Sequence, residues 1–355
     1  MRSSALRSAK SALPYATRNY STRVPVRHLM SISDLTGAEF SQLVLNAAAR
    51  KNAVKSVGIP ARLNKKLKGQ TVAMMFSKLS TRTRVSTEAA VAMMGGHPMF
   101  LGKNDIQLGV NESLRDTSKV ISSMTSCMVA RVGPHSDVAD LAKYSSVPVI
   151  NALSNDFHPL QIIADFLTIH ESIPRSSTES VVPKGLKVAW VGDANNVLFD
   201  FAIACLKLGV EISVATPRGY SIPQDKVELI TSQAESTSTP GVLNQTYVPE
   251  EAVKDADIIV TDTWISMGQE EESKKRLKDF AGFQVTKELA KRGGAKPDWK
   301  FMHCLPRHPE EVADEVFYSR RSLVFPEAEN RLWAAVAALE GFVVNRGEIC
   351  PTSHA

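Results

Sequence analysis

Apolar and polar positions along the chain fall into two alternating rhythms. Short runs in which almost every residue is apolar, such as the Val-Ala-Met-Met-Phe of 72–76, are followed by longer stretches whose apolar residues return every three or four positions. The first rhythm is that of a strand buried on both faces, the second that of an amphipathic helix. A helix is predicted over 37–53, where Phe40, Leu43, Val44 and Ala47 share one face. Strands are predicted at 72–76, 99–101, 127–131 and 147–151, and helices at 81–94, 113–126, 138–144 and 158–171. Strands that alternate with helices imply a parallel sheet.

A second series begins at Leu186, with strands at 186–191, 211–215, 258–261, 301–304 and 323–325 and helices at 196–208, 224–235 and 286–291. Between the two series, 172–184 holds Pro174, Pro183 and a serine cluster and reads as a connection. A last helix, 329–345, is expected to return to the first series. The expected fold is α/β: two doubly wound parallel-sheet domains joined by helices, with the active site in the cleft between them. The domains are expected at 34–172 and 184–325, after a leader at 1–33. A chain of 355 residues is long enough for two cores.

Composition changes this picture only at the start. Arg2, Arg7, Lys10, Arg18, Arg23 and Arg27 lie in a serine-rich stretch whose first acid is Asp34, the composition of a mitochondrial transit peptide. Processing is expected after Tyr20, with the matrix as destination. Loss of 1–20 removes four of the 42 basic residues and none of the 37 acids, so the net charge of +5 falls to +1. So neutral a domain offers no basic face for nucleic acid. No apolar run approaches the roughly 18 residues that span a bilayer. The four cysteines, at 127, 205, 304 and 350, have neither metal spacing nor a paired framework and suit a reducing compartment. His303 and His308 flank Cys304, but a zinc site needs three or four convergent ligands, and no metal is expected.

The candidate chemistry gathers at predicted strand ends, where ligands bind in open parallel sheets. Ser80-Thr81-Arg82-Thr83-Arg84 follows a strand and opens a helix, so capping hydroxyls, first-turn amides and two planar guanidiniums offer a site for phosphate. Arg131, His158 with Gln161, Asn195 with Asn196, Asp262 and Cys304 occupy other strand ends. The segment 191–196 lacks the three-glycine fingerprint of a dinucleotide fold, and no cofactor is expected. His303 precedes Cys304 on a strand and so points to the opposite face, which argues against a histidine-activated nucleophile.

Taken with Asp262-Thr263-Trp264-Ile265-Ser266-Met267-Gly268, His303-Cys304-Leu305-Pro306, His158-Pro159-Leu160-Gln161 and Glu329-Asn330-Arg331-Leu332-Trp333, the chain resembles the carbamoyltransferases, and among them the ornithine carbamoyltransferases of mitochondrial type. Five motifs run in family order over nearly the whole chain after the leader. The resemblance implies transfer of the carbamoyl group of carbamoyl phosphate to the δ-amine of L-ornithine, giving L-citrulline and phosphate. It implies carbamoyl phosphate bound by Ser80, Thr81, Arg82, Thr83, Arg131, His158, Gln161, Cys304, Leu305 and Arg331. Asn196, Asp262, Ser266 and Met267 would bind ornithine, and Asp262, Cys304, Arg131 and His158 would serve the chemistry. It further implies a cis Leu305–Pro306 bond and a homotrimer in which Gln107, in the loop 105–109, reaches the neighbour's phosphate. Alternative readings are an aspartate or modified-ornithine carbamoyltransferase, a non-catalytic metabolite-binding homologue, and a cysteine hydrolase. A dicarboxylate acceptor would need extra cations in the second domain, whereas Asp262 suits a cationic one.

Overall fold

The computed structural model describes residues 25–103, 112–175, 180–236, 240–265 and 272–352. The transit segment and its processing point, the loop carrying Gln107, and Ser266 and Met267 lie outside the described residues.

The first domain is a four-stranded parallel sheet of β1 (Thr71–Phe76), β2 (His97–Gly102), β3 (Cys127–Arg131) and β4 (Val149–Leu153), in the order β2-β1-β3-β4. Around it lie α1 (Gly37–Val57), α2 (Thr81–Met93), α3 (Leu114–Met124), α4 (His135–Tyr144) and α5 (Pro159–Ser172). Alternate side chains of β1 and β3 go to different cores. Val72, Met74 and Val129 face α1, α2 and α5, and Ala73, Met75, Met128 and Ala130 pack beside Val138 and Leu141 of α4. Burial on both faces is why these strands read as unbroken apolar runs.

The second domain has five parallel strands, β5 (Lys187–Val191), β6 (Glu211–Ala215), β7 (Val242–Thr246), β8 (Ile258–Val260) and β9 (Lys300–Met302), ordered β7-β6-β5-β8-β9. Its helices are α6 (Asn196–Lys207), α7 (Gln224–Ser232), α8 (Pro249–Val253), α9 (Ser273–Asp279), α10 (Lys287–Gly293) and α11 (Asp314–Phe317). Then α12 (Val324–Leu339) crosses back and packs on α5, α2 and α1.

Three expectations are corrected. Residues 323–325 are not a strand, because Leu323 caps α12 and only Ser322 makes a single bridge to Phe301. The apolar triplet is the start of a helix, with Leu323 and Val324 buried and Phe325 exposed, which three residues alone cannot distinguish from a strand. The final helix accordingly begins at Val324, five residues before the expected start. The leader does not extend to 33 either: Leu29 hydrogen-bonds along β4 through Val149 and Asn151, and Leu29 and Ile32 are fully buried.

One apolar core runs through both domains. Phe166 of α5 packs edge-on to Phe40 of α1 and against Phe201 of α6, each at 5.2 Å, and Phe201 continues to Trp190 of β5. Phe166→Ala leaves a cavity at this junction and is expected to cost ~3–5 kcal/mol. Urea unfolding should show one transition at a lower midpoint; an unchanged midpoint would mean that the two domains do not share this core.

Candidate functional site

In each sheet the chain starts outward on one side and then reverses, and the reversal leaves a crevice at the carboxyl ends of the two central strands. In the first sheet the crevice lies between β1 and β3, whose ends are tied by the Ser77 amide donating to the Arg131 carbonyl at 2.9 Å. In the second it lies between β5 and β8, where residues 192–196 meet Asp262. The two crevices open on one cleft of 1040 Å³. Ser80, Thr81, Arg82, Thr83, Arg131, His158, Gln161, Asn196, Asp262, Cys304, Leu305 and Arg331, all expected from the sequence, line it.

Ser80 caps α2: its hydroxyl accepts from the Thr83 amide at 3.2 Å, leaving other first-turn amides without helical partners at the cleft end of the helix dipole. Arg82 reaches across the cleft to the Leu305 carbonyl at 2.5 Å. Arg84, two residues on, is on the far side of the helix, where it pairs with Glu88 at 2.9 Å and lies over the Phe100 ring. Of the two guanidiniums expected in this motif, one therefore belongs to the site, as the helical period requires.

Three guanidiniums, those of Arg82, Arg131 and Arg331, share this side of the cleft without an ion-pair partner among the described residues. Burial holds Arg131 and Arg331 down to about 10, and each also feels the positive charge of Arg82. Arg331 donates to the Thr83 hydroxyl at 3.2 Å and to Gln161 Oε1 at 2.5 Å, while Arg131 Nε and Arg331 Nε are buried with no partner. His158 is buried; burial first, then Arg331, Arg131 and Arg82, push it well below the ordinary histidine value, so its ring is neutral. Its Nδ1 has no partner, and its backbone amide donates to Asp200 at 2.9 Å. The site is an unpaired, water-poor positive field with a neutral imidazole beside it.

The other wall is negative and tightly held. Asp262 accepts from Asn195 Nδ2 at 2.7 Å, from the Thr263 amide at 2.7 Å and from Cys304 Sγ at 2.9 Å. Burial, followed by the charge of Asp262, pushes the Cys304 thiol well above its ordinary value, so it is a protonated donor. Asn196 donates to the Ser154 carbonyl at 2.6 Å and so ties the second domain to the loop after β4. Gly192, at φ +139°, brings the β5 exit close to Trp264: a Cβ there would sit 3.0 Å from the indole nitrogen.

β9 ends at Met302, so the strand alternation expected to turn His303 away from Cys304 does not reach it; both ring nitrogens of His303 are instead occupied by other partners. Its Nδ1 accepts from the Leu305 amide at 2.9 Å, so Nε2 carries the hydrogen toward Glu311 at 3.0 Å. Burial raises Glu311, but hydrogen bonds from His303 and His308 outweigh it and hold the carboxyl below its usual range. Asp262, His303 and Cys304 do bring three metal-type donor atoms within 4.8 Å. Both imidazole nitrogens are engaged and the thiol is protonated, so this trio does not present a ready ligand set. The Leu305–Pro306 bond is cis.

Several lining residues were not singled out from the sequence. Lys78, lowered first by burial and then by Arg131, donates to Asn155 at 2.8 Å at the cleft edge. Asp193 pairs with Arg276 of α9 at 2.5 Å. Lys78 sits in the same strand-to-helix turn as Ser80 and could have been read with it. Asp193 carries no local signal, because its partner is remote in sequence.

Two family models match the chain: the carbamoyl-P binding domain of aspartate/ornithine carbamoyltransferase over residues 27–171 and the Asp/Orn binding domain over 184–341. A mitochondrial ornithine carbamoyltransferase of Coccidioides immitis is 69% identical over 342 residues, covering 95% of this chain and 98% of the relative. One from Schizosaccharomyces pombe is 56% identical, covering 93% and 98%. The crystal structure of the Coccidioides immitis enzyme superposes with a TM-score of 0.86 at 68% identity over 92% of this chain and all of the other. An ornithine carbamoyltransferase from Pyrococcus furiosus superposes with a TM-score of 0.81 at 45% identity, over 89% of this chain and 97% of the other.

A protonated Cys304 thiol has a measurable consequence. At pH 8 iodoacetamide should modify the exposed Cys350 at least ~10-fold faster than Cys304, because only the thiolate reacts. Asp262→Asn removes the charge that raises the thiol, so Cys304 modification should speed up in that variant. Peptide mass spectrometry showing Cys304 modified first in the native chain would contradict the assignment.

Proposed function

The chain belongs to the aspartate/ornithine carbamoyltransferase family, and from that premise we propose how its cleft works. It transfers the carbamoyl group of carbamoyl phosphate to the δ-amine of L-ornithine, giving L-citrulline and phosphate, the reaction shared by arginine biosynthesis and the urea cycle. The observation that carries the site assignment is the convergence of Arg82, Arg131 and Arg331 on the N-terminus of α2, opposite the carboxylate of Asp262.

The phosphate dianion lies at the α2 N-terminus between Arg82, Ser80 and Thr81, with Thr83 and Arg331 behind it. Thr83, Arg131 and neutral His158 donate to the carbonyl oxygen as attack makes it negative, in a site where water does not compete. The carbamoyl amide donates to Gln161. Asp262 holds the α-ammonium of ornithine, with Asn196, Ser266 and Met267 completing the acceptor site, and this aims the δ-nitrogen at the carbonyl carbon. The neutral δ-amine forms the new C–N bond, the C–O bond to phosphate breaks, and the leaving phosphate takes the amine's proton. Cys304, a hydrogen-bond donor to Asp262, orients the amine and forms no covalent intermediate. Leu305, whose carbonyl receives Arg82, closes the cleft from the second domain.

The protein is mitochondrial, as its relatives' names indicate; the matrix is our assignment within that organelle. A homotrimer is supported by apolar residues left exposed on the first domain: Leu79, in the turn after β1, is 85% exposed, Val85 on α2 60% and Met99 on edge strand β2 39%. In it, Gln107 of one subunit reaches the phosphate of the next.

Two experiments test these assignments. Arg82→Lys keeps the charge but not the planar fork, and kcat/KM for carbamoyl phosphate in a citrulline-forming assay should fall ~10²-fold or more; near-native kinetics would remove Arg82 from the phosphate site. Separately prepared Arg131→Ala and Gln107→Asp chains should each be inactive. When equal amounts are dissociated and reassembled, about a quarter of native activity should return, since every mixed cyclic trimer regains one intact junction. Subunit exchange confirmed by mass spectrometry without recovered activity would contradict the shared site.

A further inference from the structure

Behind the cleft, and not part of its lining, two carboxyl groups face each other: Asp165 of α5 and Glu327 of α12, both 2% exposed. The amide of Gln161 donates from Nε2 to Asp165 Oδ1 at 2.7 Å and to Glu327 Oε1 at 3.1 Å. With both amide hydrogens taken, the carbonyl Oε1 is the atom left facing Arg331 and the cleft. A flipped amide would set hydrogens against the Arg331 guanidinium and against the carbamoyl N–H groups. The other carboxyl oxygen of Glu327 accepts from the backbone amide of His303 at 3.0 Å, one residue before Cys304.

We propose that Glu327 is a positioning residue that couples the two substrate sites, fixing the Gln161 amide on the carbamoyl side and the peptide that carries Cys304 on the acceptor side with one carboxyl group. The inference rests on the carbamoyltransferase reading above. Burial raises both carboxyls, Asp165 to about 7 and Glu327 well above the usual range, and each hydrogen-bonds the other. A proton shared between them explains how two acids can be buried side by side without an ion-pair partner among the described residues. The positions that bear on the pair are Arg331 on α12, Gln161 on α5, and His303 and Asp262 from the second sheet.

The test is a cycle of Glu327→Gln and Gln161→Ala, alone and together, in the full-length enzyme. Glu327→Gln keeps the shape and the bond to Asp165 but cannot accept from Gln161 and His303 at once. It should lower kcat/KM for carbamoyl phosphate and for ornithine, each by ~10-fold. In the Gln161→Ala background, Glu327→Gln should add less than ~2-fold on the carbamoyl phosphate side, because its partner is already gone, while the ornithine effect persists. Asp165→Asn, which leaves the His303 contact in place, should affect carbamoyl phosphate alone, and it serves as the test if Glu327→Gln does not fold. Native kinetics with only a lowered unfolding midpoint, additive losses on the carbamoyl phosphate side, or equal losses for both substrates in Asp165→Asn would each overturn the coupling role. Citrulline formation by the unmodified enzyme in the same assay checks the underlying reading separately.

Discussion

Three guanidiniums brought together without a carboxylate among them are the constraint on which the cleft depends. Arg82, Arg131 and Arg331 each repel the others, and two of them are largely removed from water. Charges held this way are costly, and among the described residues none of the three pairs with a carboxylate. Their acceptors are neutral: the Leu305 carbonyl, the Thr83 hydroxyl and the Gln161 amide. In the proposed mechanism a dianion completes the arrangement, and burial together with the same field keeps His158 neutral, able to donate one hydrogen bond without adding a fourth charge.

Two sheets place this field. Each reverses its winding at its centre, so backbone groups and side chains at the ends of β1 and β3 face those at the ends of β5 and β8. The helices that run between the domains make the joint stiff. Phe166 and Phe201 share one core across it, and Asp200 of α6 accepts from Ser31, Ile32 and the amide of His158, so a residue of the second domain holds a ligand-facing residue of the first. Fold and site meet most directly in α12, whose Arg331 enters the cleft while Glu327, one turn earlier, stands behind it.

Most of this was legible in the chain where local pattern and tertiary role agree. Strands buried on both faces announce themselves as apolar runs, and residues at their ends, such as Arg131 and Asp262, could be named before the sheets were known. Legibility failed where the signal was short or remote. The edge strand β7, Val-Leu-Asn-Gln-Thr, is half exposed and carries no clear alternation, so it was missed. The triplet 323–325 was apolar for the sake of a helix start. Arg84 belonged to the phosphate motif by sequence but to the outer face by helical period. Asp165 and Glu327, 162 positions apart, gave no sign of each other, since a buried acid looks like any acid until its neighbours are known.

The central claim is that the unpaired guanidiniums form a dianion site. Urea unfolding of the full chain at 25 °C, with millimolar inorganic phosphate against sodium chloride of equal ionic strength, tests it most directly. The account predicts that phosphate raises the unfolding free energy in proportion to the logarithm of its concentration once the site is filled, by about 2.7 kcal/mol at 100 times Kd, and that Arg331→Ala loses this dependence. An equal shift with chloride, or a phosphate effect that survives in Arg331→Ala, would contradict it.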